Sequence, residues 1–190
     1  ERALFALERD KGIPVTTLRP AFIYGPHNAF YREAFFWDRL LAGRPIVIPD
    51  DGTATMQWVS VTDVARAAIL AGETKGTAGR AYNLAEYPPI TQLDFVRLMA
   101  RAAGTEATFA HIPRERIAAL GGGLMAPPFY FGVFLDIPAI TVSADRARKE
   151  LGLELTPLED GMRATFQWYK EQQRAPADFT WDDKALSDAQ

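Results

Sequence analysis

The chain has 190 residues and a formal net charge of −3; 48% of its residues are hydrophobic and 24% are charged. These proportions are close to the globular average and exclude a mainly disordered, collagen-like or repeat-biased protein. The small acidic excess argues against a protein that binds nucleic acid or an anionic membrane through its overall charge.

The apolar residues in the first half of the sequence are spaced in a way that predicts alternating helices and strands. Apolar residues at helical spacing predict a helix that ends at Gly12, and the run from Val15 to Arg19 predicts a strand that Pro20 ends. Further helices are predicted over residues 30–41 and 64–71, the second starting at Thr62 and Asp63, and further strands over residues 46–48, 56–61 and 80–84.

The second half continues this alternation. Thr91 is predicted to cap a helix that runs through Ala103 and ends at Gly104. A strand is predicted over residues 109–112, and helices over residues 113–120, over residues 144–151 with Ser143 as the cap, and from residue 157 onward. The order of these elements predicts an α/β fold. The tail from residue 174 onward is expected to be irregular and to lie on the surface.

The longest apolar run, residues 121–135, contains two adjacent prolines, Pro127 and Pro128. A membrane-spanning helix needs about 20 apolar residues without such breaks, so this run is not expected to cross a membrane. The chain has no cysteine, which excludes disulfides and cysteine-ligated metal sites. The expected location is therefore the cytoplasm.

Several segments carry a family resemblance. Residues 18–26 read LRPAFIYGP and residues 58–65 read WVSVTDVA. Together with the later segments at 80–84, 147–152 and 157–161, they resemble the extended short-chain dehydrogenase/reductase superfamily, in its NAD-dependent epimerase/dehydratase members. Residues 33–39, 43–49 and 177–183 are similar to the chloroplast stem-loop-binding branch of that superfamily.

The resemblance implies that the chain is the C-terminal substrate-binding portion of an extended Rossmann-type reductase. Relatives carry an upstream Gly-rich turn for the dinucleotide pyrophosphate and a Tyr-x-x-x-Lys helix for proton transfer, and neither motif occurs here. We therefore expect one lobe without the N-terminal nucleotide-binding part. Residues 1–26 would end the Rossmann-type part, residues 27–173 would form the substrate-binding lobe, and residues 174–190 would form the surface tail.

The resemblance also implies which residues face the cofactor, NAD or NADP, in the full-length parent. These are Pro20, Ala21, Phe22 and Ile23, mainly through main-chain atoms, because a proline removes a backbone donor next to the nicotinamide. Without the resemblance, Pro20 would be a strand-ending proline. The chain alone is expected to bind the cofactor weakly or not at all, and we assign it no catalytic residue.

The implied substrate-binding residues follow the same segment. They are Tyr24, Asn28, Arg32, Phe35, Arg39, Met56 and Trp58. Sugar-nucleotide members commonly have Asn at the position of Phe22 and Arg at the position of Met56, and both contact the substrate diphosphate. Phe22 and Met56 can make neither contact, so binding of a conventional nucleotide sugar would need another cation, for which Arg32 and Arg39 are the candidates. The alternative is that both arginines are solvated residues on a helix.

Other candidate groups have simpler interpretations. The aromatic cluster Phe30, Phe35, Phe36 and Trp37 is more often core than the wall of an apolar pocket. Two histidines, His27 and His111, are too few for a metal site. Asp50 and Asp51 fit a turn, and Asp63 fits a helix start.

Two functions remain open. The first is the substrate-binding lobe of an NAD(P)-dependent epimerase, dehydratase or reductase, with a small-molecule substrate such as a nucleotide sugar and a homo-oligomeric parent. The second is a non-catalytic RNA-binding or structural module. Local basic strips that could serve it are Arg114 with Arg116, and Arg146 with Arg148 and Lys149.

Overall fold

The computed structural model describes residues 1–28, 30–120 and 139–187. The chain forms two compact units. Unit 1 comprises Glu1–Gly25, Gln57–Pro88 and Thr141–Gly161, and unit 2 comprises Pro26–Met56, Pro89–Ile140 and Met162–Gln190. These units do not follow the contiguous ranges expected from the sequence, because strands from the middle of the chain return to pair with strands near its start. The apolar run 121–135 lies outside the described residues.

The elements alternate along the chain as an α/β protein requires. The helices are α1 (Arg2–Lys11), α2 (Glu33–Leu41), α3 (Val61–Glu73), α4 (Gln92–Ala103), α5 (Arg114–Ala119), α6 (Asp145–Leu151), α7 (Leu158–Glu171) and α8 (Thr180–Ser187). The strands are β1 (Thr16–Pro20), β2 (Phe22–Tyr24), β3 (Ile46–Pro49), β4 (Thr55–Met56), β5 (Trp58–Ser60), β6 (Arg80–Leu84), β7 (Ile90–Thr91) and β8 (Phe109–Ile112). None of the helices in the described ranges is both long and apolar enough to cross a membrane.

Unit 1 contains two parallel strand pairs. Strand β1 pairs with β6, and β2 pairs with β5. Parallel pairs are normally covered by helices, and here α3 and α6 contribute alanine and leucine side chains to the core. The buried core of this unit consists of Val59, Ala67, Ala71, Tyr82, Leu84, Ala147, Leu151 and Leu153.

Unit 2 has a parallel pair, β3 with β8, and a short antiparallel pair, β4 with β7. Its core is aromatic. The ring of Trp37 on α2 lies 5.2 Å from the ring of Phe166 and 5.1 Å from that of Tyr169, and its indole nitrogen donates to the carbonyl oxygen of Met99 at 3.2 Å. The aromatic run on α2 is therefore mainly core.

Several predicted boundaries are confirmed, including the Thr91 cap, the end of α4 at Gly104, and strands β6 and β8. The expected strand over residues 56–61 is instead two strands, because β4 pairs in unit 2 whereas β5 pairs in unit 1. The expected start of α3 at Thr62 and Asp63 was wrong. Ser60 caps this helix by accepting a hydrogen bond from the amide of Thr62.

The expectation of an irregular tail was also wrong. Residues Thr180–Ser187 form α8, and within it Trp181 and Asp182 are buried. The Trp181 indole donates to the carbonyl oxygen of Leu120 at 3.2 Å. Asp178 accepts hydrogen bonds from the amide and the hydroxyl of Thr180, which fixes the turn into the helix.

Candidate functional site

The segment expected to face a cofactor changes its strand partner at Ala21. The amide of Ala21 donates to the carbonyl oxygen of Leu84 at 2.8 Å, whereas the amide of Phe22 donates to that of Gln57 at 3.2 Å. The backbone thus pairs with β6 along β1 and with β5 along β2. Pro20, the last residue of β1, is exposed and has no amide hydrogen. In open α/β sheets, ligands bind beyond the carboxyl ends of strands, which is where this change occurs.

The aromatic side chains that follow pack against Trp58. Its ring lies 5.6 Å from that of Phe22 and 6.4 Å from that of Tyr24. Tyr24 and Trp58 are buried, while Ala21, Phe22 and Ile23 are half-buried. Within unit 1, the parts of this group that a ligand could reach are therefore Pro20 and the half-buried residues. The roles assigned to all of them stay predictions.

The Tyr24 hydroxyl has an unusual environment. It is buried and has no hydrogen-bond partner among the described residues, and it lies against the backbone of Gly161, where a Cβ atom would sit 1.9 Å from it. Burial first, and then the negative charges of Glu86, Asp63 and Asp160, raise the pKa of this phenol well above its ordinary value. We infer that Tyr24 positions the first turn of α7 and is not itself poised to exchange a proton.

Glu86 reaches the same turn. One carboxyl oxygen accepts from the amide of Leu158 at 2.7 Å, and the other is buried without a hydrogen-bond partner in the part of the chain that the structure describes. Burial raises the pKa of Glu86; the Leu158 amide opposes this shift, and the charge of Asp63 adds to it. Glu86 could not be recognised from the sequence, because its contact is to a backbone amide 72 residues further along the chain.

Replacing Glu86 by glutamine tests this environment. A raised pKa in the folded state means that the fold favours the protonated carboxyl, so this residue's contribution to stability is present below the ordinary value of 4.5 and is lost as pH rises through the raised value. Glutamine keeps an oxygen for the Leu158 amide. We expect Glu86→Gln to be more stable than wild type at neutral pH, and the difference to shrink on acidification.

Urea unfolding midpoints measured from about pH 4 to about pH 8 would show this trend. Glu154→Gln, at an exposed carboxylate in the segment after α6, is the control. A Glu86→Gln variant that is destabilised equally at every pH would contradict the proposed environment.

In unit 2, the candidate residues before α2 form a compact polar group. The guanidinium of Arg32 donates to one carboxyl oxygen of Glu33, with its Nε at 2.9 Å, and the amide nitrogen of Asn28 donates to the other at 2.8 Å. Arg32 and Glu33 are both buried. The positive charge of Arg32 is therefore already compensated by its neighbour in the sequence. The alternative that Arg32 is a solvated residue on a helix was wrong, and its assignment to the substrate stays a prediction.

The positive charge of Arg39 is compensated by both carboxyl oxygens of one aspartate. Its Nε and Nη2 each donate to a carboxyl oxygen of Asp182 at 2.7 Å, and both side chains are buried. The guanidinium also stacks over the ring of Phe35, 3.5 Å from its centroid. This geometry favours a packing role for Arg39 and Phe35, and the solvated alternative for Arg39 was wrong. Their assignment to the substrate stays a prediction.

The remaining candidate in unit 2, Met56, is buried in β4 opposite Ile90. It provides no hydrogen-bond donor for a phosphate group. Among the residues that the structure describes, no group of three or more His, Asp and Glu side chains is arranged to hold a metal ion.

His27 was considered in the sequence only as a metal ligand. Its backbone has a positive φ of 64°, and its exposed imidazole packs on Trp168 with the ring centroids 5.4 Å apart. The loop that carries it follows the carboxyl end of β2. A positive φ is uncommon outside glycine, and no sequence signal marked it at this position.

Comparison with known proteins shows which family has a segment similar to the one around Ala21. The model of the NAD dependent epimerase/dehydratase family matches residues 1–85, which include the partner change at Ala21. This stretch belongs to that family. The expected resemblance and the α/β fold are thereby confirmed.

Curated relatives of the family extend the similarity. The chloroplast stem-loop binding protein of 41 kDa b from Arabidopsis thaliana is 30% identical over 187 residues, which cover 96% of this chain and 47% of that protein. A dTDP-glucose 4,6-dehydratase from Neisseria gonorrhoeae is 29% identical over 68% of this chain and 36% of that protein. The chain thus spans about half the length, or less, of these two relatives.

Solved structures of the family share the fold. The UDP-glucose 4-epimerase of Thermotoga maritima, solved with UDP-glucose, superposes with a TM-score of 0.69 at 24% identity, covering 90% of this chain and 50% of that one. The UDP-glucuronic acid 4-epimerase of Bacillus cereus, solved with UDP-glucuronic acid and NAD, gives a TM-score of 0.64 at 22% identity, covering 90% of this chain and 49% of that one.

Proposed function

We propose that the chain supplies the substrate-binding part of an NAD(P)-dependent epimerase, dehydratase or reductase whose substrate is a nucleotide sugar. The observation that carries this proposal is the change of strand partner at Ala21, at the carboxyl ends of parallel strands inside the stretch that matches the family. The names of the relatives, which include nucleotide-sugar epimerases and dehydratases, support the substrate class.

The residues around Ala21 fit one part of the cofactor. Pro20 is exposed and without an amide hydrogen, so it offers an apolar surface that suits the face of a nicotinamide ring. Ala21, Phe22 and Ile23 would contribute mainly backbone atoms. When bound, the nicotinamide would supply hydride transfer to or from a carbon of the substrate.

We also propose that this chain does not catalyse the reaction alone, because its sequence has no Tyr-x-x-x-Lys motif and no Gly-rich pyrophosphate turn. The test incubates the purified 190-residue chain with NADH or NADPH and with UDP-glucose or dTDP-glucose. We expect no change in nicotinamide absorbance and measurable binding of the nucleotide sugar by calorimetry. Turnover would overturn the proposed inactivity, and an absence of binding would overturn the substrate-binding role.

A second candidate is RNA binding, which the similarity to the chloroplast stem-loop binding protein favours. In unit 1, α6 exposes Arg146, Arg148 and Lys149. A gel shift with an RNA hairpin that weakens steeply between low and moderate salt would support this candidate, and no shift at low salt would dismiss it. The homo-oligomeric parent and its cytoplasmic location stay predictions.

A further inference from the structure

His27 lies in the loop that directly follows the carboxyl end of β2. Gly25 leaves the strand with a φ of 140°, Pro26 follows, and His27 adopts the left-handed conformation with a φ of 64°. A Cβ atom at Gly25 would lie 2.6 Å from a methyl carbon of Val61, so this turn is specific to glycine. A non-glycine residue held at positive φ is a form of backbone strain that clusters at ligand-binding positions.

The imidazole of His27 is exposed and held from one side. Its ring packs on Trp168, with the centroids 5.4 Å apart and the planes inclined by 59°. Across the described part of the chain, neither ring nitrogen makes a hydrogen bond to another residue. The ring is therefore oriented by packing, and its nitrogens are available to a ligand.

The two arginines that follow His27 in the sequence, Arg32 and Arg39, are not available to bind a phosphate group. Arg32 is buried against Glu33, and Arg39 is buried against Asp182 with both carboxyl oxygens engaged. Removing either arginine from its partner would leave a buried carboxylate uncompensated, which is costly. A phosphate group would more readily meet the exposed imidazole.

We propose that His27 donates a hydrogen bond to a phosphate oxygen of the nucleoside diphosphate part of the substrate, with Trp168 fixing the orientation of the ring. This assignment rests on the proposed function. It adds a specificity-determining residue for the anionic part of the substrate, which neither the buried arginines nor Met56 can contact in the structure described here.

The experiment uses the fact that the chain contains two histidines, His27 and His111. His111 is also exposed, and its Nδ1 lies 2.8 Å from the carbonyl oxygen of Asp50, so it is a matched internal control. Imidazole signals of the isotope-labelled chain are recorded by NMR while UDP, and then UDP-glucose, is added to millimolar concentration. We expect the His27 signals to shift and the His111 signals to stay in place.

Binding of UDP-glucose to variants completes the test. Glycine adopts the left-handed conformation without strain and has no side-chain donor, so His27→Gly should weaken binding roughly tenfold or more, and His111→Ala should not change it. His27→Asn, which tolerates the same conformation and restores a side-chain N–H donor, should recover part of the loss. Binding that is unchanged in His27→Gly, with unmoved His27 signals, overturns this assignment and leaves the proposed function standing. No binding by the wild-type chain overturns both.

Discussion

Replacing Asp182 by asparagine is expected to lower the free energy of unfolding by about 3–5 kcal/mol. The Asp182 carboxylate accepts from two nitrogens of the Arg39 guanidinium, and both side chains are buried. Without the negative charge, the buried guanidinium would lose the carboxylate that accepts from its Nε and Nη2. Urea unfolding followed by tryptophan fluorescence would measure the loss.

The neighbouring Asp183 is the matched control for this prediction. It pairs with Arg44, but 66% of its side chain is exposed. Exposed ion pairs contribute from zero to about 1 kcal/mol, so Asp183→Asn should leave the unfolding midpoint nearly unchanged. If the free energy of unfolding falls by the same small amount in both variants, the buried Arg39–Asp182 pair does not hold α8 in place.

A methyl group at Gly161 is expected to lower the free energy of unfolding by about 1–3 kcal/mol, although alanine normally stabilises a helix. Gly161 lies in α7, and a Cβ atom there would sit 1.9 Å from the Tyr24 hydroxyl and 2.7 Å from two of its ring carbons. Tyr24 is buried, so its ring cannot move aside without disturbing its neighbours. Thermal and urea unfolding of Gly161→Ala would measure the cost.

Gly72 in α3 provides the comparison for Gly161. It is exposed, and a Cβ atom at that position would meet nothing within 4 Å. Gly72→Ala should therefore raise the free energy of unfolding by about 0.5–1 kcal/mol. If Gly161→Ala is stabilised to the same extent, the close approach of Tyr24 to α7 does not exist in solution.

Local signals were sufficient for the elements whose ends are fixed by their own residues. The side chain of Thr91 caps α4 and Gly104 ends it in the left-handed conformation, and both features are visible in the sequence. Helix α8 shows the opposite case, because Trp181 and Asp182 are buried by residues far away in the chain. The Asp178 turn before it was a local signal that could have indicated the start of this helix.

Some residues of the candidate site could likewise be predicted from the sequence, and others could not. The family resemblance identified the segment from Pro20 to Ile23, and the family match includes it. The environment of Arg39 could not be predicted, because its partner lies 143 residues later. Glu33 is adjacent to Arg32, yet an Arg-Glu dipeptide at a helix start does not reveal that both side chains are buried.

The chain passes between the two units five times, after Gly25, Met56, Pro88, Ile140 and Gly161. No single cut in the polypeptide separates one unit from the other, and a truncation from either end whose cut lies between Gly25 and Gly161 would remove parts of both units. During synthesis, β1 must wait for β6, about 60 residues later, before its ladder can form. A nascent chain that stalls before residue 80 would therefore leave the edge of β1 that pairs with β6 without its partner, and such an edge can pair with other proteins.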